Sequence, residues 1–431
     1  MKVAFHTLGC KVNYYESEAL KGKFRREGFE VVDFEEPADV YVINTCTVTH
    51  LAERKSRQII RRAKRRNPAA LVAVTGCYAQ VSPAAVSSLD EVDLVIGTAG
   101  RLSLPDLVKR KLAGEGVFDR AEAYGKEAAF EDLPWVPEGE RTRAFLKIQD
   151  GCRQFCTYCI IPRARGPLRS LPLQKALEYL QEIGRSGYKE VVLTGIHLGL
   201  YGVDLKPPTD LASFLEKAVA VGGIERVRLS SIEPWDFGDK LLQVVQENEK
   251  VCRHLHIPLQ SGDDAILREM GRPYDAAYFG SLLKKLRGAL PDLAVSTDIM
   301  VGFPGESEEQ FRRSFNFVRE CAFSRLHVFK YSPRSGTKAA AMANQVSPEV
   351  KERRSREMID LGKELEENFQ ERFIGRRLHV LFEKVLPGEK GVLLEGLTTN
   401  YLRVRAPGPA KLRGQIREVL IKQRGRACII A

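Results

Sequence analysis

No stretch of this 431-residue chain approaches 18 consecutive apolar residues, so no membrane-spanning helix is expected. The opening Met1-Lys2-Val3-Ala4-Phe5 lacks the apolar core of a secretory signal and runs straight into a strand-like pattern. A cytoplasmic location is therefore expected. There is no Walker motif, no Ser–His–Asp arrangement, no internal repeat and no low-complexity tract. Histidine is scarce, with seven residues, and His6, His50, His197 and His254 have no ligand spacing. Phosphate-loop and triad chemistry thus have no foothold, and any chemistry must come from another residue type.

Cysteine supplies it. Nine cysteines are an odd number, spaced too widely for a small stapled fold, and in a reducing compartment they are ligands or buried thiols. Hydrophobic residues make up 44% of the chain, enough for real cores, and the length predicts two to four domains. The formal net charge of +11 points to a polyanionic partner, with nucleic acid the default.

Residues 1–118 alternate strands (2–8, 40–44, 71–75, 92–96) with helices (15–27, 49–66, from 83, 105–112), the mark of a parallel α/β domain. Cys10, Cys46 and Cys77 each follow one of its strands. Loops at the carboxyl ends of parallel strands converge, so cysteines 36 and 31 residues apart can meet. Residues 119–142 are acidic, carry Pro134 and Pro137, and read as a linker. A second α/β run over 143–370 has six strands (144–149, 190–194, 226–229, 254–257, 294–301, 325–329) with helices between them, which predicts a partial or full (βα)6 barrel of TIM type. Residues 371–431 shift to short strands (378–383, 391–397, 401–405, 415–422, 426–430) broken by Gly and Pro, a small all-β barrel. The expected class is α/β with a β appendage.

Within the second run, Cys152-Arg153-Gln154-Phe155-Cys156-Thr157-Tyr158-Cys159 puts three thiols on one tight loop after the first strand. Soft ligands so close suit zinc or iron–sulfur. A structural zinc site needs a fourth ligand, and the next candidates, His197 and Cys252, are far away. A three-thiolate [4Fe–4S] cluster with one open iron fits better. The upstream trio Cys10, Cys46 and Cys77 reads as a second. Cys252, Cys321 and Cys428 read as buried thiols.

The CxxxCxxC loop after the first barrel strand resembles the radical SAM superfamily. The resemblance implies that the open iron binds S-adenosyl-L-methionine. It also implies cofactor contacts from Tyr158 in the loop, Thr194 and Gly195 after the second strand, Ser230 and Glu233 after the third, Gln260 after the fourth, and Gly302 and Gly305 after the fifth. Thr7-Leu8-Gly9-Cys10-Lys11-Val12-Asn13, Asn44-Thr45-Cys46-Thr47-Val48, Thr75-Gly76-Cys77-Tyr78, Arg165-Gly166 and Tyr331-Ser332-Pro333-Arg334-Ser335-Gly336-Thr337 resemble the methylthiotransferase family. The terminal module resembles the TRAM RNA-binding domain.

That resemblance covers essentially the entire chain and implies a division of labour. The Cys152 cluster cleaves S-adenosylmethionine to a radical that takes hydrogen from the target. The auxiliary cluster on Cys10, Cys46 and Cys77 holds or supplies sulfur, and a second S-adenosylmethionine gives the methyl group. An electron donor and a sulfur source are implied partners. Lys11-Val12-Asn13 resembles the branch acting on N6-threonylcarbamoyladenosine 37 in the tRNA anticodon stem-loop. Isopentenyladenosine in tRNA and a ribosomal-protein aspartate are the alternatives, and an RNA-binding iron–sulfur protein is the non-enzyme alternative. The basic helix 49–66 and the arginines of 371–431 are the expected RNA contacts, with Tyr401 a base-stacking or core residue.

Overall fold

The computed structural model describes residues 1–431 except 117–120, 122–123, 126–127, 138–140, 389–390, 426–427 and 431. It forms two compact units. The first holds 1–139, 149–171 and 332–340, and the second holds 140–148, 172–331 and 341–431.

In the first unit, β1 (Lys2–Thr7), α1 (Lys11–Arg26), β2 (Glu30–Val32), β3 (Val40–Thr45), α2 (His50–Arg66), β4 (Leu71–Gly76), α3 (Cys77–Val81), α4 (Pro83–Ser87), β5 (Leu94–Val95) and α5 (Leu104–Leu112) follow in order. The sheet is parallel, in the order β2-β1-β3-β4-β5. β3 and β4, Val-Tyr-Val-Ile-Asn-Thr and Leu-Val-Ala-Val-Thr-Gly, are buried at every residue. Central strands covered by helices on both faces need such continuous apolar runs. Phe5, Leu20, Phe24 and Val42 pack on one face of the sheet, and Tyr41, Ile43, Ile60 and Val74 on the other.

After β6 (Arg143–Lys147), which belongs to the second unit, the chain returns to the first. There β7 (Gln149–Asp150), α6 (Ile161–Arg165) and β8 (Arg169–Ser170) frame the cysteine loop, with β7 and β8 antiparallel. Described residues of 119–142 pack on this unit without regular structure: Tyr15 Oη donates to the Leu133 carbonyl at 2.6 Å, and Trp135 is buried.

The second unit continues α7 (Leu173–Arg185), β9 (Glu190–Thr194), α8 (Leu211–Val219), β10 (Arg226–Leu229), α9 (Asp239–Glu247), β11 (His254–His256), α10 (Asp264–Glu269), α11 (Ala276–Ala289), β12 (Ala294–Val301), α12 (Glu308–Cys321), β13 (Arg325–Lys330) and α13 (Pro348–Glu371). Side-chain caps set the helix starts: Asp210, Asp263, Asp275, Ser307 and Ser347 each accept a backbone N–H of the first turn. Parallel β6, β9 and β10 form one sheet and β11, β12 and β13 another, joined by bridges Val227–Val251 and Ser231–His256. These are the six expected strands. β6 and β13 are not paired with each other among the described residues, so the barrel is open.

The terminal module is a six-stranded sheet, one strand more than the sequence pattern suggests: β14 (Arg377–Gly388), β15 (Gly391–Thr398), β16 (Arg403–Pro407), β17 (Ile416–Leu420), β18 (Gln423–Gly425) and β19 (Cys428–Ile430). The module docks on the amino-terminal ends of the barrel strands. Arg226, opening β10, donates to the Leu397 and His379 carbonyls at 3.1 and 2.8 Å. Arg228 donates to Thr399 and Thr398, both at 3.1 Å. Phe369 and Phe373 share a core with Val380, Phe382, Leu394 and Ala294. Among the described residues no helix is long and apolar enough to cross a membrane.

Candidate iron–sulfur centre

The first three cysteines leave adjacent strands at one end of a single sheet. Cys10 follows β1, Cys46 follows β3, and Cys77 opens α3 directly after β4. Register aligns Thr7 with Asn44 and Thr45 with Gly76, so the three loops start level. Two glycines permit the approach. A Cβ on Gly9, at φ +105°, would lie 3.1 Å from Cys46 Cβ and 3.3 Å from its Sγ. A Cβ on Gly76, at φ +95°, would lie 2.4 Å from Asn44 Oδ1 and 2.5 Å from the Thr45 carbonyl. Asn13 ties two loops, donating to the Leu8 and Thr45 carbonyls at 2.7 and 3.0 Å, while Thr45 Oγ1 donates to the Thr75 carbonyl at 2.6 Å. These bonds explain why the motifs carry Asn and Thr as well as Cys, a role the spacing alone does not disclose.

Cys46 and Cys77 are buried and Cys10 is exposed. Burial raises the Cys46 thiol above its usual range and pushes Cys77 up to about 12. Two features act against this at Cys77: the Arg165 charge, and Arg165 Nε donating to Cys77 Sγ at 3.3 Å. Among the described residues, no three His, Cys, Asp or Glu side chains are gathered tightly enough to hold one metal ion. Three soft donors converging around glycine-cleared space, with a buried cation behind them, fit a multi-iron cluster.

In the second cysteine loop, Gly151 at φ +74° leaves the Pro167 carbonyl 1.8 Å from where a Cβ would sit. Cys152 N–H donates to the Gly166 carbonyl at 3.2 Å, and Gln154 N–H donates to Cys152 Sγ at 3.4 Å. Cys156 and Cys159 are joined through the Cys159 N–H to Cys156 carbonyl bond of 3.0 Å. All three thiols are half-buried, as is Tyr158. Phe155 has φ +48° and is 70% exposed.

Segment 332–340 joins both cysteine loops. Arg334, buried, donates to Thr47 Oγ1 at 3.0 Å, next to Cys46, and pairs with Glu53. Gly336 lies against the Arg163 guanidinium, and Ala339 N–H donates to the Thr157 carbonyl at 2.9 Å.

In the second unit, the residues expected around S-adenosylmethionine stand at or beyond the carboxyl ends of their strands. Thr194 is the buried last residue of β9, followed by Gly195. Ser230 is buried after β10, and its Oγ has no hydrogen-bond partner among the described residues. Such a buried hydroxyl awaits an outside partner, as a cofactor contact would supply. Glu233 is already paired with Arg272, which also lies 4.7 Å from the Trp235 ring centre. Gln260 has φ +68°, with its backbone held by Asp298 and Met300 at 2.8 Å each. Gly302 N–H donates to Glu306 Oε2 at 2.7 Å, and the Lys351 stem fills the space over Gly302. Gly305 N–H donates to the Asn344 carbonyl at 2.9 Å. Both glycines therefore also build a turn tied to neighbouring chain.

Other expectations shift. In the basic helix α2, acidic side chains already hold four of the cations expected to meet RNA. Arg62 and Arg66 pair with Glu35, Arg61 with Glu91 and Lys64 with Asp93, while Arg54, Lys55 and Arg65 are exposed outside those pairs. Tyr401 packs internally, stacked on His254 with ring centres 4.5 Å apart and 4.7 Å from Arg228. In the module Arg376 pairs with Asp292, Arg405 with Glu395 and Arg424 with Glu367, while Arg403, Lys411, Arg417 and Lys422 are exposed. Arg426 lies outside the described residues. Cys252 and Cys321 are buried as expected, and the Cys428 side chain lies outside the described residues.

Residues 146–318 match the radical SAM superfamily, and residues 2–97 match a family described as "Uncharacterized protein family UPF0004". A solved structure of the radical S-adenosylmethionine methyltransferase TsrM from Kitasatospora setae shares the fold, with TM-score 0.58 and 15% identity over 79% of this chain and 75% of that one. Fold and matches define a radical SAM protein with an added amino-terminal α/β domain. The Threonylcarbamoyladenosine tRNA methylthiotransferase MtaB of Bacillus subtilis (strain 168) is 44% identical over 98% of this chain and 94% of its own length. That of Aquifex aeolicus (strain VF5) is 38% identical over 98% and 100%. The chain belongs to the radical SAM methylthiotransferase family.

Proposed function

We propose that this protein is a tRNA methylthiotransferase that converts N6-threonylcarbamoyladenosine at position 37 to its 2-methylthio derivative, in the cytoplasm. The observation that carries the reading is the convergence of Cys10, Cys46 and Cys77 beyond three adjacent parallel strands, in one compact unit with the Cys152 loop. The full-length likeness to two enzymes named for this nucleoside, and Lys11-Val12-Asn13 in the first motif, favour this substrate.

Cys152, Cys156 and Cys159 would hold one [4Fe–4S] cluster, and Cys10, Cys46 and Cys77 the auxiliary one. When bound, the clusters and S-adenosyl-L-methionine supply radical hydrogen abstraction, sulfur and a methyl group. The chain's own residues position these groups. Tyr158, Thr194, Gly195, Ser230, Glu233, Gln260, Gly302 and Gly305 are the proposed S-adenosylmethionine contacts, with Ser230 Oγ the donor or acceptor still to be satisfied. Segment 332–340 holds Thr47 and Thr157, and so the two cysteine loops, in one arrangement. Arg54, Lys55 and Arg65 on α2, and Arg403, Lys411, Arg417 and Lys422 in the module, are the proposed phosphate contacts; such contacts position RNA without reading bases. An electron donor and a sulfur source complete the partners.

Expression in a bacterial strain whose tRNA retains unmodified threonylcarbamoyladenosine tests the reading. The wild-type chain should restore the 2-methylthio nucleoside in digested tRNA, and the Cys10→Ala chain should not. Failure of the wild-type chain, expressed and iron-loaded, contradicts the substrate assignment.

A further inference from the structure

We propose that Arg165 is the positioning residue of the auxiliary cluster, setting its reduction potential through the Cys77 ligand. The inference rests on the ligand assignment above and goes beyond it. Arg165 ends α6, six residues after Cys159, yet its side chain enters the other cysteine group. It is fully buried. Nε donates to Cys77 Sγ at 3.3 Å. Nη1 donates to Glu16 Oε1 at 2.5 Å and approaches Asp150 Oδ2 at 3.4 Å. Nη2 donates to Glu16 Oε2 at 3.1 Å and to Asn13 Oδ1. Every face of the guanidinium is engaged, so its Nε–H is fixed on the sulfur.

Glu16 is itself gripped from the other side by Arg101, at 2.5 Å, and Arg101 pairs with Glu131. A buried ion group of this size is poor material for stability, since desolvation offsets much of its attraction. Its placement behind one thiol gives it another use. A cluster gains negative charge on reduction, so a fixed N–H and cation at a ligand sulfur favour the reduced form. Hydrogen bonds to sulfur and local charge are established settings of cluster potential. Asn13 serves both ends, holding the Cys10 and Cys46 loops through Nδ2 and Arg165 through Oδ1.

The test uses the full chain with Cys152→Ala, Cys156→Ala and Cys159→Ala, reconstituted anaerobically so that only the auxiliary cluster is loaded. Its midpoint potential and EPR spectrum are compared with those of the same chain carrying Arg165→Lys, Arg165→Met or Glu16→Gln. Arg165→Lys keeps the charge but loses the fixed Nε–H, and its potential should shift negative. Arg165→Met should shift further, and Glu16→Gln, which deletes a nearby negative charge, should shift positive. If Arg165→Lys loses its cluster iron, Glu16→Gln decides, and an unshifted potential there overturns the proposal. If Arg165→Met does not fold, the other two variants decide. Retained clusters with unchanged potentials in Arg165→Lys and Glu16→Gln overturn the proposal, because a purely structural arginine predicts that result. A folded parent chain that binds no cluster overturns the ligand assignment, and the proposal with it.

Discussion

Replacing Arg228 with Met should weaken the junction between the half-barrel and the terminal module more than any single surface change. Arg228 is buried in β10. It donates to both Glu190 oxygens, at 2.7 and 3.2 Å, and to the Thr398 and Thr399 carbonyls. Met preserves the stem volume and removes all four bonds. Glu190, with no exposed surface, is then left with Arg143 at 3.7 Å and Arg226 at 3.8 Å. Breaking one side of a buried pair costs about 3–5 kcal/mol. The two stranded carbonyls belong to the same loss and are not added again. At roughly 2–4 °C per kcal/mol for a large domain, the thermal midpoint should fall by about 10 °C. Thermal unfolding followed by circular dichroism reads this. Adding Glu190→Gln removes the stranded charge and should restore part of the loss, a coupling that a double-mutant cycle measures. A fall of under ~1 kcal/mol, or a double variant no better than the single, would refute the reasoning.

Tyr401→Ala should lose about 1–2 kcal/mol from the ring stack on His254 and the Arg228 contact, with tRNA affinity measured by filter binding unchanged. Burial opposes ionisation of Glu190, but Arg228, Arg143 and Arg226 together hold its carboxyl below the ordinary range. Its stabilisation is therefore complete above the unfolded value near ~4.3 and is lost as pH falls through the depressed folded value. The thermal-midpoint gap between wild type and Glu190→Gln should accordingly close on acidification. Gly76→Ala places a Cβ 2.4 Å from Asn44 Oδ1 at positive φ, so iron analysis should show loss of the auxiliary cluster with the Cys152 cluster retained.

The sheet domains were legible in the sequence because parallel strands announce themselves as short apolar runs, and β3 and β4 are such runs. The position of each early cysteine followed from the same pattern, since every one lies within three residues of a strand's end. The terminal module was less legible. β18 has three residues, and β14 continues through Lys384-Val385-Leu386-Pro387-Gly388, where no alternation of apolar and polar residues marks a strand. Charge was the poorest guide. The basic run in α2 gives no hint that Glu35, Glu91 and Asp93 neutralise four of its cations. Glu16 and Arg165 are 149 residues apart, a pairing no local pattern encodes. The available signal was a carboxylate on the buried face of α1, among Val12, Ala19 and Leu20. Arg165 stood in a recognised motif, but the motif did not say that its side chain serves the other cysteine trio.

The central claim is tested most directly by anaerobic incubation of the reconstituted protein with a reductant and S-adenosylmethionine. Three acceptors are offered side by side: tRNA bearing threonylcarbamoyladenosine, tRNA bearing isopentenyladenosine, and ribosomal protein. Mass analysis of nucleosides and peptides should show the methylthio group on threonylcarbamoyladenosine alone. Its appearance on isopentenyladenosine or on a ribosomal-protein aspartate, with threonylcarbamoyladenosine unchanged, would contradict the account.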